Sequence, residues 1–184
     1  MFRSGYRALA PTAWISFIGL CMFLPHATEL GLSIIAGVGL FVALCLISLF
    51  DIRYFIIPDG PLIFLCILAP FSLSTPDPQE ISLRLAAGAV GYSVLRLSAY
   101  AHEVVRGQAG FGTGDARLYA VAGLWLGLTG LPGCLVYATF SALLSAVIAL
   151  RLGEVDDMRE PVPFGPHLSL GMWLSYVMGP LEFG

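Results

Sequence analysis

The chain has 184 residues, of which 58% are hydrophobic and 11% charged, with a mean hydropathy of +0.86. So little polar surface excludes a soluble globule and points to one bilayer-embedded domain over residues 1–184. The net charge is −3 and all nine basic residues are arginines spread singly, which excludes the basic patch of a nucleic-acid binder.

Apolar runs fall at Ala8 to Leu24, Leu30 to Phe50, Pro61 to Leu73, Ile81 to Tyr100, Ala116 to Leu128, Leu131 to Leu150 and Phe164 to Met178. Each is at or somewhat below the ~20 residues that a spanning helix needs. The pattern predicts an all-α polytopic membrane helix bundle of about seven transmembrane helices, with six possible. The third and fifth runs are short, so they must tilt little, borrow flanking residues or be shielded by neighbours. Arg3 and Arg7 ahead of the first run resemble a signal peptide, but no small-x-small cleavage site precedes Glu29, so a retained helix is expected. Turn chemistry fills the linkers Pro25-His26, Pro58-Asp59-Gly60-Pro61, Pro76-Asp77-Pro78 and Leu131-Pro132-Gly133.

Positively charged loops stay cytoplasmic. Arg3, Arg7, Arg53, Arg106, Arg151 and Arg159 occupy the N-terminal tail and the even-numbered loops, which predicts a cytoplasmic N-terminus. Arg84, near the outer end of the fourth helix, is expected to snorkel to the interface. Gly88 and Gly91 on that helix, with Gly123 and Gly127 on the next, offer close backbone contact.

The same alternation puts Asp51, ending the second helix, and Asp115, opening the fifth, at the cytoplasmic side. Gly110, Gly112 and Gly114 give the segment before the fifth helix a backbone that approaches other chains closely, and Asp115 stands at the end of the macrodipole that favours an acid. Two carboxylates held close in a partly dry site share a proton: one draws a proton from attacking water while the other donates. That is aspartyl protease chemistry. The same acids would also serve a small proton-coupled transporter or transport accessory protein. Cys21, Cys45, Cys66 and Cys134 are far apart, with no Cys-x-x-Cys pair and no His at metal spacing, so neither a metal nor a cofactor is expected.

The motifs around the acids separate these readings. Asp51-Ile-Arg-Tyr-Phe-Ile-Ile-Pro58-Asp59 resembles the first signature of the type IV prepilin peptidases, and Gly112-Thr-Gly114-Asp115-Ala-Arg117-Leu118 resembles their second, Gly-x-Gly-Asp. Pro163-Phe164-Gly165-Pro166-His167-Leu168-Ser169-Leu170-Gly171 is similar to the segment that opens their last helix, so the resemblance runs from about Leu30 to the C-terminus. It implies a membrane aspartyl endopeptidase of the bacterial inner membrane that removes the basic leader of type IV prepilins or pseudopilins, its site facing the cytoplasm. Asp51 and Asp115 match the catalytic pair, with Gly112, Gly114, Arg117, Pro58 and Asp59 as the supporting loops. A presenilin-like protease also uses Gly-x-Gly-Asp, but the Asp51-to-Pro58 spacing and the Phe-Gly-Pro segment favour the prepilin branch.

Departures from the family pattern carry expectations too. Arg117 replaces the usual Lys, either pairing with an acid or binding lipid phosphate, and Gln108-Ala109 stands where a Glu is common. The paired Cys-x-x-Cys region linked to N-methylation has no counterpart, so the short, peptidase-only form without methylation is expected. Asp59 is expected mainly as a turn residue and His167 as an interfacial polar residue. Glu154, Asp156, Asp157 and Glu160 read as a solvated acidic loop that would at most steer a basic leader.

Overall fold

A computed structural model describes residues 31–73, 77–106, 112–151 and 163–180. The expected first helix (residues 8–24), Gln108-Ala109, Gly110 and the acidic loop at 154–160 lie outside the described residues. Those described form helices and no strands: α1 (Gly31–Tyr54), α2 (Asp59–Leu68) running into a 3-10 turn (Ala69–Ser72), α3 (Pro78–Arg106), α4 (Thr113–Arg151) and α5 (Gly165–Met178).

Among the described residues five α-helices are counted, and the expected first helix lies outside them. The expected fifth and sixth helices form one 39-residue element, and the anticipated Leu131-Pro132-Gly133 linker is helical. An unbroken helix of 39 residues would run ~58 Å, about twice the ~30 Å hydrocarbon core. The chain breaks instead at Gly127, where φ is 69° and ψ −177°, a conformation essentially reserved for glycine. Gly127 is thus a hinge point and not the packing residue that its spacing suggested.

The break frees a carbonyl that Arg84 of α3 takes: its guanidinium donates to the Trp125 carbonyl and also meets Glu80 at 3.2 Å. Arg84 therefore caps a broken helix, where snorkelling was expected, because a freed carbonyl in an apolar setting needs a donor. Tyr119 donates its hydroxyl to the Leu131 carbonyl at 2.7 Å, clasping α4 across the break, and Trp125 donates from its indole to the Leu65 carbonyl of α2 at 3.1 Å.

Helices α3, α4, α5 and α1 pack in that spatial order, and α2 bridges α1 to α4. Leu40, Leu44 and Ile47 of α1 meet Leu168, Met172 and Trp173 of α5 in the buried centre, with the Phe41 and Trp173 rings 5.1 Å apart. The opposite face of α1 is equally apolar, with Ile35, Val38, Val42, Leu46 and Leu49 all exposed. A helix that is hydrophobic all round, yet not buried all round, has lipid for its solvent. Residues Ile35–Tyr54 and Thr113–Arg151 are long and apolar enough to cross a bilayer, at mean hydropathies of 2.4 and 2.0.

Glycines set the closest crossing. A Cβ on Gly123 would stand 2.5 Å from the Ala87 carbonyl oxygen and 2.6 Å from the Gly88 nitrogen, and one on Gly91 would stand 2.8 Å from the Tyr119 oxygen. Backbone atoms cannot rotate aside, so Gly123→Val must push α3 off α4. Overpacking of this kind costs about 1–3 kcal/mol, and thermal unfolding in detergent is expected to register it as a lowered Tm, whereas Ala89→Val on the exposed face of α3 is expected to leave Tm unaltered.

Candidate active site

Asp51 lies in the last turn of α1, which ends because Phe55 takes the left-handed conformation at φ 54° while its N–H still reaches the Asp51 carbonyl at 2.8 Å. That reversal, at a cost of about 1–2 kcal/mol for a residue with a Cβ, turns the chain toward Pro58, the N-cap of α2. The Asp51 side chain itself is buried, at 6% exposure, and accepts the Gly165 N–H at 2.9 Å.

Gly165 is the first residue of α5, where backbone N–H groups lack partners inside the helix. Pro166 beside it has no N–H to satisfy, so Asp51 takes the donor that most needs an acceptor. The approach is possible only at glycine, because a Cβ on Gly165 would lie 2.6 Å from Asp51 Oδ2 and 2.9 Å from its Cγ. Sequence reasoning singled out the Phe-Gly-Pro segment without assigning Gly165 a partner. The available signal was a glycine between the N-cap and a proline, a place where a helix end is left open to an outside acceptor.

Asp115 sits in the first turn of α4 and is half-buried. Its carboxylate reaches back to accept the Gly112 N–H at 3.2 Å, the acid's share of a capping box. Gly114 packs against Ile57, with its missing Cβ 3.1 Å from the Ile57 Cβ, so the glycine turn nests on the Ile57-Pro58-Asp59 loop. The Asp51 charge acts on Asp115, so the two carboxylates lie within electrostatic reach although they come from different helices.

The supporting loops meet as well. Arg117 pairs with Asp59 through Nη1 and Oδ1, and both side chains remain largely exposed. Of the two partners expected for Arg117 the structure shows the acid, and the contact ties Asp59 at the start of α2 to the beginning of α4. Pro58 is the N-cap of α2, and Gly112 and Gly114 flank the start of α4. His167 does not occupy an interface; it is buried at 1% exposure and its Nδ1 meets Ser141 Oγ at 2.5 Å between α5 and α4. Among the described residues no three His, Cys, Asp or Glu side chains gather as a metal site would require.

The site thus holds two carboxylates, each fixed by one backbone N–H and each left with further acceptor capacity. A carboxylate with spare acceptor capacity can take a proton from water. Known proteins point the same way. A prepilin leader peptidase/N-methyltransferase of Xanthomonas campestris pv. campestris is 31% identical over 151 residues, which cover 78% of this chain and 50% of the relative. Proteins of the same name from Stutzerimonas stutzeri and Pseudomonas aeruginosa are 28% and 30% identical over 83% and 72% of the chain, and over 53% and 45% of their own length. The chain spans about half the length of the curated relatives it matches. No solved structure matches it. The profile of the type IV leader peptidase family matches residues 38–150, more than half of the chain and a stretch that holds both Asp51 and Asp115, so this protein belongs to the type IV leader peptidase family.

Proposed function

We propose that the chain is a membrane aspartyl endopeptidase that removes the basic leader of type IV prepilins or pseudopilins, with Asp51 and Asp115 as its acid/base pair. The observation that carries this is the convergence of two carboxylates from separate helices, each held by one backbone N–H and within each other's field. In the proposed reaction the ionised carboxylate takes a proton from water as its oxygen attacks the scissile carbonyl carbon. The protonated partner gives its proton to the developing oxyanion; the first acid then passes the proton it took from water to the leaving amine while the partner takes back a hydroxyl proton, so that the C–N bond breaks, the carboxyl product forms and the pair returns to its starting state. This chemistry accounts for the peptidase half of the relatives' name and not for methyl transfer, which is not carried over.

The proposed setting is the bacterial inner membrane, with seven spans, a cytoplasmic N-terminus and the carboxylates at the cytoplasmic face. Arginine distribution supports the orientation, and the break of α4 at Gly127 supports reading that element as two spans. The test is incubation of the chain in proteoliposomes with a candidate prepilin, followed by mass spectrometry of the products. One cut at the boundary between the basic leader and the apolar helix is expected; an uncut substrate would sink the proposal.

The Arg117 tether gives a graded check on the same assay. An exposed ion pair contributes at most about 1 kcal/mol, so Arg117→Met is expected to shift Tm little yet to lower kcat severalfold by loosening the Asp59 loop. Because Arg117 meets Asp59 through one nitrogen, a lysine retains the contact, and Arg117→Lys is expected to restore turnover.

A further inference from the structure

The peptidase reading leaves a question of access: a substrate whose polar end reaches the carboxylates must lay its apolar part somewhere in the bilayer beside them. Helices α2 and α3 follow one another in the chain but do not pack extensively together: α2 packs mainly on α1 and α4, and α3 on α4. The gap between them is an open groove of about 670 Å³. Its floor is made of small residues, Gly88, Ala89 and Ala120, and its rims of the exposed Ile63, Leu85 and Tyr92.

The groove is mostly apolar and has the Asp59–Arg117 pair among its lining residues; neither Asp51 nor Asp115 lines it, and its link to them is the Ile57-Pro58-Asp59 loop, on which Gly114 beside Asp115 packs. From Asp59 to Cys66 on one wall and from Leu85 to Ser93 on the other, it runs about 10–12 Å, two turns of helix. A polar end one loop away from Asp115 and a two-turn apolar trough beside it match a chain that changes from polar to apolar at the scissile bond.

Resting on the peptidase reading, we infer that this groove is the docking site for the first two helical turns of the substrate on the apolar side of the cleaved bond. The substrate presents one face, with residues at i, i+3 or i+4 and i+7 entering the groove. Small floor residues let bulky side chains sink between α2 and α3, and the lack of extensive α2–α3 packing leaves the trough open sideways to lipid, through which a membrane-anchored substrate arrives.

Two measurements test this with the full chain in proteoliposomes. Ala89→Trp fills the floor of the groove from an exposed position, and kcat/KM for a prepilin is expected to fall at least about tenfold, carried by KM. Leu97→Trp, exposed on α3 outside the groove, is expected to process at the wild-type rate. In the second, Cys66, an exposed thiol lining the groove, is oxidised against single cysteines placed along the first apolar turns of the substrate, held uncut by the Asp115→Asn variant. Cross-links mapped to Cys66 are expected at positions three or four residues apart. If the wild type cuts no prepilin, the peptidase reading falls and this inference with it. If it cuts, but Ala89→Trp matches wild type, the groove holds lipid and the inference alone is overturned. Absent or uniformly distributed Cys66 cross-links overturn it equally.

Discussion

Asp51→Asn and Asp115→Asn are each expected to lower kcat for leader removal by about 10³-fold, within the range that positioned acid–base groups contribute. The substitutions keep the shape of the side chain and leave an amide oxygen to accept the Gly165 or Gly112 N–H that each carboxylate now holds. Folding is therefore preserved while the capacity to take or give a proton is lost. A proteoliposome assay should find KM little altered and no mature pilin on the minutes scale, and thermal unfolding should find Tm close to wild type. Neither residue should substitute for the other, because both halves of the proton exchange are needed; the double variant should be no slower than the singles, as for groups that act as a unit. Wild-type processing by either single variant would remove that acid from the reaction.

Gly165→Ala is expected to lower kcat by about 10²-fold, the scale of a displacement of about 1 Å at a reacting group. The new methyl carbon would overlap Asp51 Oδ2, which stands 2.6 Å from its position, so the carboxylate must rotate away from the N–H it accepts. The effect should lie in kcat, since nothing ties Gly165 to the substrate. Its structural cost is separable: Asp51→Ala removes the 2.6 and 2.9 Å contacts and leaves only the 3.1 Å contact with Cβ, so Gly165→Ala should lower Tm less in that background than in the wild-type chain. That non-additivity is the signature of two groups in contact. Full activity in Gly165→Ala would mean that the bond from α5 does not position Asp51.

How much of this was legible beforehand follows from the range of each signal. The helical class and lipid setting rest on composition and on apolar runs, which are properties of the chain read in one dimension. Asp51 and Asp115 stood out because each sits where a helix ends or begins beside turn-forming residues, and such signals are local. Helix boundaries were read less well. Leu131-Pro132-Gly133 looked like a linker, yet the break falls at Gly127, because proline is tolerated near the start of the second segment while only glycine adopts the broken conformation.

Sequence alone determined the medium and the helical class and singled out the two acids with their flanking loops, all of which depend on residue type and short spacing. Only the tertiary structure decided that Gly165 holds Asp51, that Arg117 meets Asp59, that Arg84 caps the break in α4, and that α2 and α3 do not pack extensively together. Each of these depends on distances between residues remote in the chain and on which of several glycines bends and which packs. No local pattern encodes those choices, because they are made by the fit of whole helices against one another.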